Sequence, residues 1–184
     1  LHHPFHQVPF YLVQPATIDR LSSSDHWKID LRNLRKWWQN LDELNTEEDI
    51  FKVLKKRRIK PLACYLPEVS RIPPSVRRLL PTKNGPAIFL CPERIFSYPY
   101  ALLILQKVVI HELIHAYRGT EKWYYTMQKR LWPRIIEESL ANAIAFLYFT
   151  PTEWPLLAEF MAQQPPEYAA YTFWFETYYR AYVQ

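Results

Sequence analysis

The chain has 184 residues, of which 49% are apolar and 16% are aromatic. This content is too high for a disordered chain, and the length allows one domain with a substantial core. The net charge of +5 favours weak attraction to anionic partners, but it does not by itself define a nucleic-acid-binding protein. With two glycines and sixteen prolines, the prolines mark most of the boundaries between elements.

Two helices are predicted in the first third of the chain. Residues 1–25 are predicted to be irregular, and three histidines this close to a chain terminus do not favour a catalytic site. Apolar residues recur at helical spacing over 27–44. Thr46 is a suitable cap for a second helix over 47–57, whose basic end suits the negative end of the helix dipole. A nucleic-acid-binding or targeting role for the basic run 55–58 is the alternative.

Two short strands are predicted next. Residues 59–66 are apolar and bounded by prolines, and 87–91 form a second apolar run that is closed by Pro92. Five prolines and a glycine indicate a loop over 67–86. Two short strands among several helices predict an α+β fold that is mostly helical.

The following helix has the clearest end signals in the chain. Ser97 is a suitable cap, Pro99 fits the first turn, and Gly119 lies where helices commonly end in the left-handed conformation. A further helix is predicted over 133–149. Residues 150–153, Thr-Pro-Thr-Glu, match a capping box that begins another helix. A final, aromatic-rich helix is predicted after the last pair of prolines.

The helix that ends near Gly119 contains His111-Glu112-Leu113-Ile114-His115, which is the HExxH pattern. Positions i and i+4 of a helix lie on the same face, so both imidazoles can reach one metal ion. Glu112 lies beside them, where it can contact a metal-bound water without binding the metal. The apolar neighbours indicate that this helix is buried, and a metal compensates the burial of polar side chains. Two hydrogen-bonded histidines at a partly exposed helix end are the alternative.

A catalytic zinc requires a third protein ligand and an open fourth position. The metzincin spacing is not met, because Gly119 and Glu121 occupy the region where the third histidine would lie. The next helix carries Glu137 and Glu138. Glu138 is favoured as the ligand because Asn142, four residues on, can accept a hydrogen bond from the Nδ1–H of a ligating histidine. Glu137 has no such partner and fits a solvated helix start; it is the alternative ligand.

An HExxH helix followed by a separate helix with Glu-x-x-x-Asn or Glu-x-x-x-Asp resembles the gluzincin group of zinc peptidases. The segment from Glu138 to Pro151, with its Ala-Asn pair, is similar in pattern to ImmA/IrrE-type peptidases. The resemblance covers about residues 86–151. It implies a zincin-like minimal metallopeptidase domain that binds one Zn²⁺, with a small sheet of short strands packed on the HExxH helix. It also implies that the strand at 87–91 is the edge strand that lines the substrate.

The sequence therefore predicts a zinc metallopeptidase in which Glu112 takes a proton from a zinc-activated water and passes it to the leaving amine. The oxyanion needs a donor besides zinc, and the candidates are Tyr117, Arg118, Tyr168 and Tyr171. One alternative is a zinc hydrolase that acts on a non-peptide amide. Another is a non-catalytic protein- or nucleic-acid-binding module with a structural or vestigial zinc site. Glu112 argues against the second alternative, because a structural site needs no base.

The predicted partner is a peptide or protein substrate. No signal peptide is visible, and the longest apolar stretch, 101–110, is too short to span a bilayer, so a soluble, cytoplasmic protein is predicted. Cys64 and Cys91 lack metal-binding spacing and are predicted to be buried and reduced. Residues 1–184 are predicted to form one domain, made of an N-terminal portion (1–80), a metal-site core (86–151) and C-terminal helices (152–184).

Overall fold

The computed structural model describes residues 8–23, 60–118 and 131–164. These residues form a three-stranded sheet and six α-helices, which confirms the α+β class and its mostly helical character. The predicted helices over 27–44 and 47–57 lie outside these ranges. So do the N-terminal histidines, the basic run, Gly119 and the final aromatic-rich helix.

Strands and helices are interspersed along the chain. The strands are β1 (Phe10–Leu12), β2 (Ala63–Leu66) and β3 (Ala87–Leu90). The helices are α1 (Pro15–Ser23), α2 (Pro74–Arg77), α3 (Pro92–Ile95), α4 (Ala101–Arg118), α5 (Leu131–Phe146) and α6 (Trp154–Ala162), with a 3₁₀ turn at Val69–Arg71. None of the described helices is long and apolar enough to cross a membrane.

The central strand of the sheet is β3, in the order β1-β3-β2. β1 pairs with it in parallel, with Phe10 opposite Ile88, and β2 pairs antiparallel, with Cys64 opposite Phe89. All four residues of β3 are buried. The expectation that 87–91 is an edge strand is therefore wrong, because its apolar residues allow cover on both faces and pairing along both edges.

The segment before residue 25 is not irregular throughout, and the prediction there is wrong for β1 and α1. Strand β1 has three residues and continues its pairing through the Val13 N–H, which donates to the Leu90 carbonyl oxygen at 2.8 Å. A strand this short carries too little pattern to be seen in the sequence. Helix α1 follows it and buries Ile18 and Leu21 completely.

The two faces of the sheet bury different apolar clusters, because successive side chains of a strand point to opposite sides. The α1-side cluster consists of Leu21, Cys64, Leu66, Val69, Ile72, Leu80, Ala87 and Phe89. The helical-side cluster joins the opposite face of the sheet to α4, α5 and α6, and includes Tyr65, Ile88, Leu90, Ile104, Val108, Phe146 and Phe160. The sheet is thus a layer between α1 and the long helices. Both cysteines are buried and free, as predicted.

Helix α4 begins later than its sequence signals indicate. The Ser97 hydroxyl donates to the Arg94 carbonyl oxygen at 2.7 Å, at the end of α3. The prediction that Ser97 caps the HExxH helix is wrong, because the Ser97 hydroxyl is hydrogen-bonded to the preceding helix α3 instead. Instead the Tyr100 carbonyl, on a residue with φ of 58°, accepts the Ile104 N–H at 3.1 Å.

The predicted capping box before α6 is partly formed. The Thr150 N–H donates to the Glu153 carboxylate at 2.8 Å, which is the return contact of such a box. The helix itself starts at Trp154.

Close packing of α4 against α5 depends on small side chains. Ala141 and Ala145 on α5 are fully buried and pack with Ile114 of α4. Alanines at this spacing allow two helices to approach closely. Glu138 and Asn142 share the same face of α5, so they are carried to the α4 surface that bears the two histidines of the HExxH pattern.

Candidate metal centre

Three ligand atoms from two helices converge in the core. His115 Nε2 lies 3.0 Å from His111 Nε2, and Glu138 Oε2 lies 3.2 Å from His111 Nε2 and 3.3 Å from His115 Nε2. All three side chains are buried, and their rings and carboxylate meet at the α4–α5 interface. This group could hold a metal ion. The structure therefore brings together the three residues that the sequence selected as ligands.

The two histidines have opposite protonation preferences in the chain alone. Burial, together with the positive charges of Lys107 and His115, lowers the pKa of His111 to about 3. Burial also opposes a charge on His115, but the carboxylates of Glu138 and Glu137 outweigh it and raise the pKa of His115 to about 10. A neutral His111 and a cationic His115 follow, so a metal ion must displace a proton from His115.

Glu138 is ionised in this environment. Burial works against its charge, but His115 and His111 lower the pKa of its carboxyl well below the usual value. A carboxylate that is already deprotonated is ready to bind a cation.

Glu137 is not the solvated residue that the sequence predicted. It is buried, and its Oε1 lies 3.1 Å from His115 Nδ1. Its other oxygen lies 3.3 Å from Arg118 Nε. The expectation is wrong because α5 packs against α4 at the position of Glu137. The Glu137 carboxylate therefore faces His115 rather than solvent. Glu137 thereby holds the Nδ1 side of His115 and leaves Nε2 for the metal, the role expected of Asn142.

Asn142 makes a different contact from the predicted one. Its Oδ1 accepts a hydrogen bond from the Nζ of Lys107, which lies one turn before His111 on α4. The predicted hydrogen bond from a ligating histidine to Asn142 is therefore wrong. The reason is geometric, since Asn142 is one turn further along α5 than Glu138 and reaches the preceding turn of α4. The spacing of Lys107, four residues before His111, was the signal in the sequence for this pair.

Glu112 is separated from the ligand group by its position on α4. Its Oε2 accepts the Tyr65 backbone N–H of β2 at 2.7 Å. Burial raises the pKa of the Glu112 carboxyl to about 7; the charge of Glu138 adds to this effect, while His115, the Tyr65 amide and Lys107 oppose it. A carboxyl group with a pKa near neutrality can both accept and donate a proton at physiological pH.

The candidate oxyanion donors are not brought together by the described residues. Tyr117 is 62% exposed at the end of α4, and Arg118 lies beside Glu137. Tyr168 and Tyr171 lie outside the described ranges. The oxyanion role stays a prediction for the three tyrosines.

Comparisons with known proteins identify no relative. No protein-family model matches the chain, and neither the curated proteins nor the solved structures contain a match to it. The function must accordingly be inferred from the geometry and chemistry of the site.

Proposed function

We propose that this protein is a zinc-dependent peptidase of the gluzincin type. His111, His115 and Glu138 hold one Zn²⁺, and Glu112 is the general base. The observation that carries this proposal is the convergence of two Nε2 atoms and one carboxylate oxygen, while the Glu112 carboxylate, also on α4, is held by the Tyr65 N–H of β2. A zincin-like fold is part of the same proposal.

The ligand set and its spacing fit zinc. Two imidazoles and one carboxylate are a ligand set of catalytic zinc sites, which keep a fourth position open. Zinc bonds of 2.0–2.1 Å in a tetrahedral arrangement separate ligand atoms by about 3.3 Å. The three separations here are 3.0, 3.2 and 3.3 Å. When bound, zinc supplies Lewis-acid polarisation of a carbonyl group and activation of a water molecule.

Glu112 performs the proton transfers. The Tyr65 amide holds one carboxylate oxygen, which fixes the orientation of the side chain while the group remains buried. The carboxylate accepts a proton from the attacking water and then donates it to the leaving amine.

The orientation of β2 explains how Glu112 is held. The Cys91 N–H donates to the Leu62 carbonyl oxygen at 2.8 Å, which sets the register of the antiparallel ladder. Because such a ladder alternates, Ala63 and Tyr65 direct their backbone groups away from β3, and the Tyr65 N–H accordingly reaches Glu112. The peptide substrate class is proposed from the gluzincin-like spacing of the ligands and Glu112.

The direct test is Glu112→Gln. Elemental analysis should find about one zinc per chain in both the wild type and the variant. The variant should lose hydrolysis of a peptide library by about a hundredfold or more, since it cannot accept the proton. Glu159→Gln, which changes an exposed glutamate on α6, is the matched control and should cleave like the wild type.

Three results would contradict the proposal in different ways. Unchanged cleavage by Glu112→Gln would remove the assigned base. A zinc-loaded wild type that cleaves no peptide but hydrolyses other amides would move the substrate class. A protein that binds no zinc would remove the metal centre altogether.

A further inference from the structure

Lys107 is a buried cation one helical turn before His111. Its side chain is 4% exposed, its Nζ donates to Asn142 Oδ1, and it lies 5.9 Å from the centroid of the Phe160 ring. Lysine is almost never fully buried unless it is paired with an opposite charge. An amide oxygen and a ring face carry only partial negative charge. The immediate contacts therefore do not explain why an ammonium group lies in this core.

The compensating charges are the carboxylates of the metal centre. Burial lowers the pKa of Lys107 to about 8, and the charges of Glu112 and Glu138 act in the opposite direction. Lys107 therefore remains a cation at neutral pH. It lies one helical turn before His111, and its hydrogen-bond partner Asn142 lies one turn after Glu138. Lys107 and the ligand group thus act on each other through space.

We infer that Lys107 is a resident counter-charge of the metal centre, which offsets the buried carboxylates before metal binding and weakens the binding of a divalent cation. This inference rests on the proposed zinc site. A dication that enters beside Glu138 is attracted by the carboxylates but repelled by the ammonium group on the next turn of α4. At the effective dielectric of a protein interior, a unit charge one helical turn from a dication changes its affinity by about tenfold or more.

A purely structural role for Lys107 has the opposite consequence. If the lysine only holds α4 to α5 through Asn142, its removal loosens the interface that brings the ligands together. Zinc binding then weakens. The sign of the change in affinity therefore distinguishes a charge effect from a packing effect.

The experiment measures zinc dissociation constants at pH 7 by competition with a chromophoric chelator. Lys107→Met removes the charge and keeps the volume. Asn142→Asp keeps the hydrogen bond to Lys107 and adds a negative charge beside it. Both variants should bind zinc at least about tenfold more tightly than the wild type. Lys107→Arg retains the charge and should stay within about threefold.

Unchanged or weaker zinc binding by a folded Lys107→Met or Asn142→Asp variant would overturn the inference. Equally tight binding by Lys107→Arg and Lys107→Met would do the same, because Lys107→Arg retains the charge. If circular dichroism shows that Lys107→Met is unfolded, Lys107→Gln, which also removes the charge, takes its place in the comparison with Lys107→Arg. A wild type without zinc affinity would refute the metal centre as well, whereas a zinc-binding wild type with unresponsive variants would refute only the counter-charge.

Discussion

The two sides of the sheet differ in the polar groups that they bury. The α1-side cluster is made of apolar side chains and cysteine, and it includes Phe89 and Leu21 without any exposure. All the buried polar and charged residues of the described chain belong instead to α4 and α5: Lys107, His111, Glu112, His115, Glu137, Glu138, Ser139 and Asn142. Both sides of the sheet therefore bury apolar clusters, but only the helical side also carries groups that cost free energy to bury.

This difference locates the polar groups whose burial costs stability. Carboxylates, imidazoles and an ammonium group lie in mutual contact or close to one another at the α4–α5 interface. Replacement of the α1-side residues should change the free energy of unfolding with little effect on the metal centre. Replacement of the α4–α5 residues should change metal affinity and catalysis.

The largest expected effect is a loss of stability when the α1-side cluster is disrupted. Phe89→Ala removes a fully buried ring from the central strand and should lower the free energy of unfolding by about 3–5 kcal/mol. Urea unfolding followed by circular dichroism measures this loss. Leu12→Ala, at a position that is 71% exposed on β1, is the control and should change stability by less than about 0.5 kcal/mol. Similar losses in the two variants would show that the α1-side cluster is not the stabilising core.

The second prediction separates the neighbouring glutamates of α5. Glu138→Ala removes the proposed ligand and should weaken zinc binding by more than about a hundredfold. Glu137→Ala removes the contacts to His115 Nδ1 and Arg118 and should weaken it about tenfold. Competition with a chelator measures both. A greater loss for Glu137→Ala than for Glu138→Ala would transfer the ligand assignment.

The third prediction concerns pH. His115 has a pKa of about 10 in the chain alone, so below that pH a metal must displace its proton; His111, with a pKa of about 3, is already neutral. Apparent zinc affinity should therefore fall as the pH falls, by about tenfold per unit between pH 8 and pH 6. Calorimetry in two buffers with different ionisation enthalpies should detect about one released proton. Binding that does not vary with pH would contradict the His115 assignment.

The smallest expected effect is a loss of stability without a change in zinc affinity, and it concerns the turn before β3. Gly85 precedes β3 with φ of +74°, and nothing lies within 4 Å of a Cβ built there. Gly85→Ala should therefore lower the free energy of unfolding by about 1 kcal/mol through backbone strain alone, without a change in zinc affinity. Thermal unfolding measures the loss. Asn84→Ala, at the exposed position before it, is the control; an equal loss there would indicate that φ is not the cause.

Some features of the fold and the site could be predicted from the sequence, and others could not. The spacing of His111 and His115 on one helix, and of Glu138 on the next, depends on local helical geometry, which repeats along a single element. The short strands at 63–66 and 87–90 were also visible as apolar runs between prolines. Strand β1 was not, because its partner is distant in sequence and three residues show no period.

By itself, the sequence determined the helices that carry His111, His115 and Glu138, because periodicity and residue type are properties of one segment. Only the tertiary structure decided that β3 is central, that Glu137 faces His115, that the Tyr65 amide holds Glu112 and that Lys107 meets Asn142. Each of these is a contact between elements. The rotation and offset of one helix against another follow from packing, which no single segment encodes.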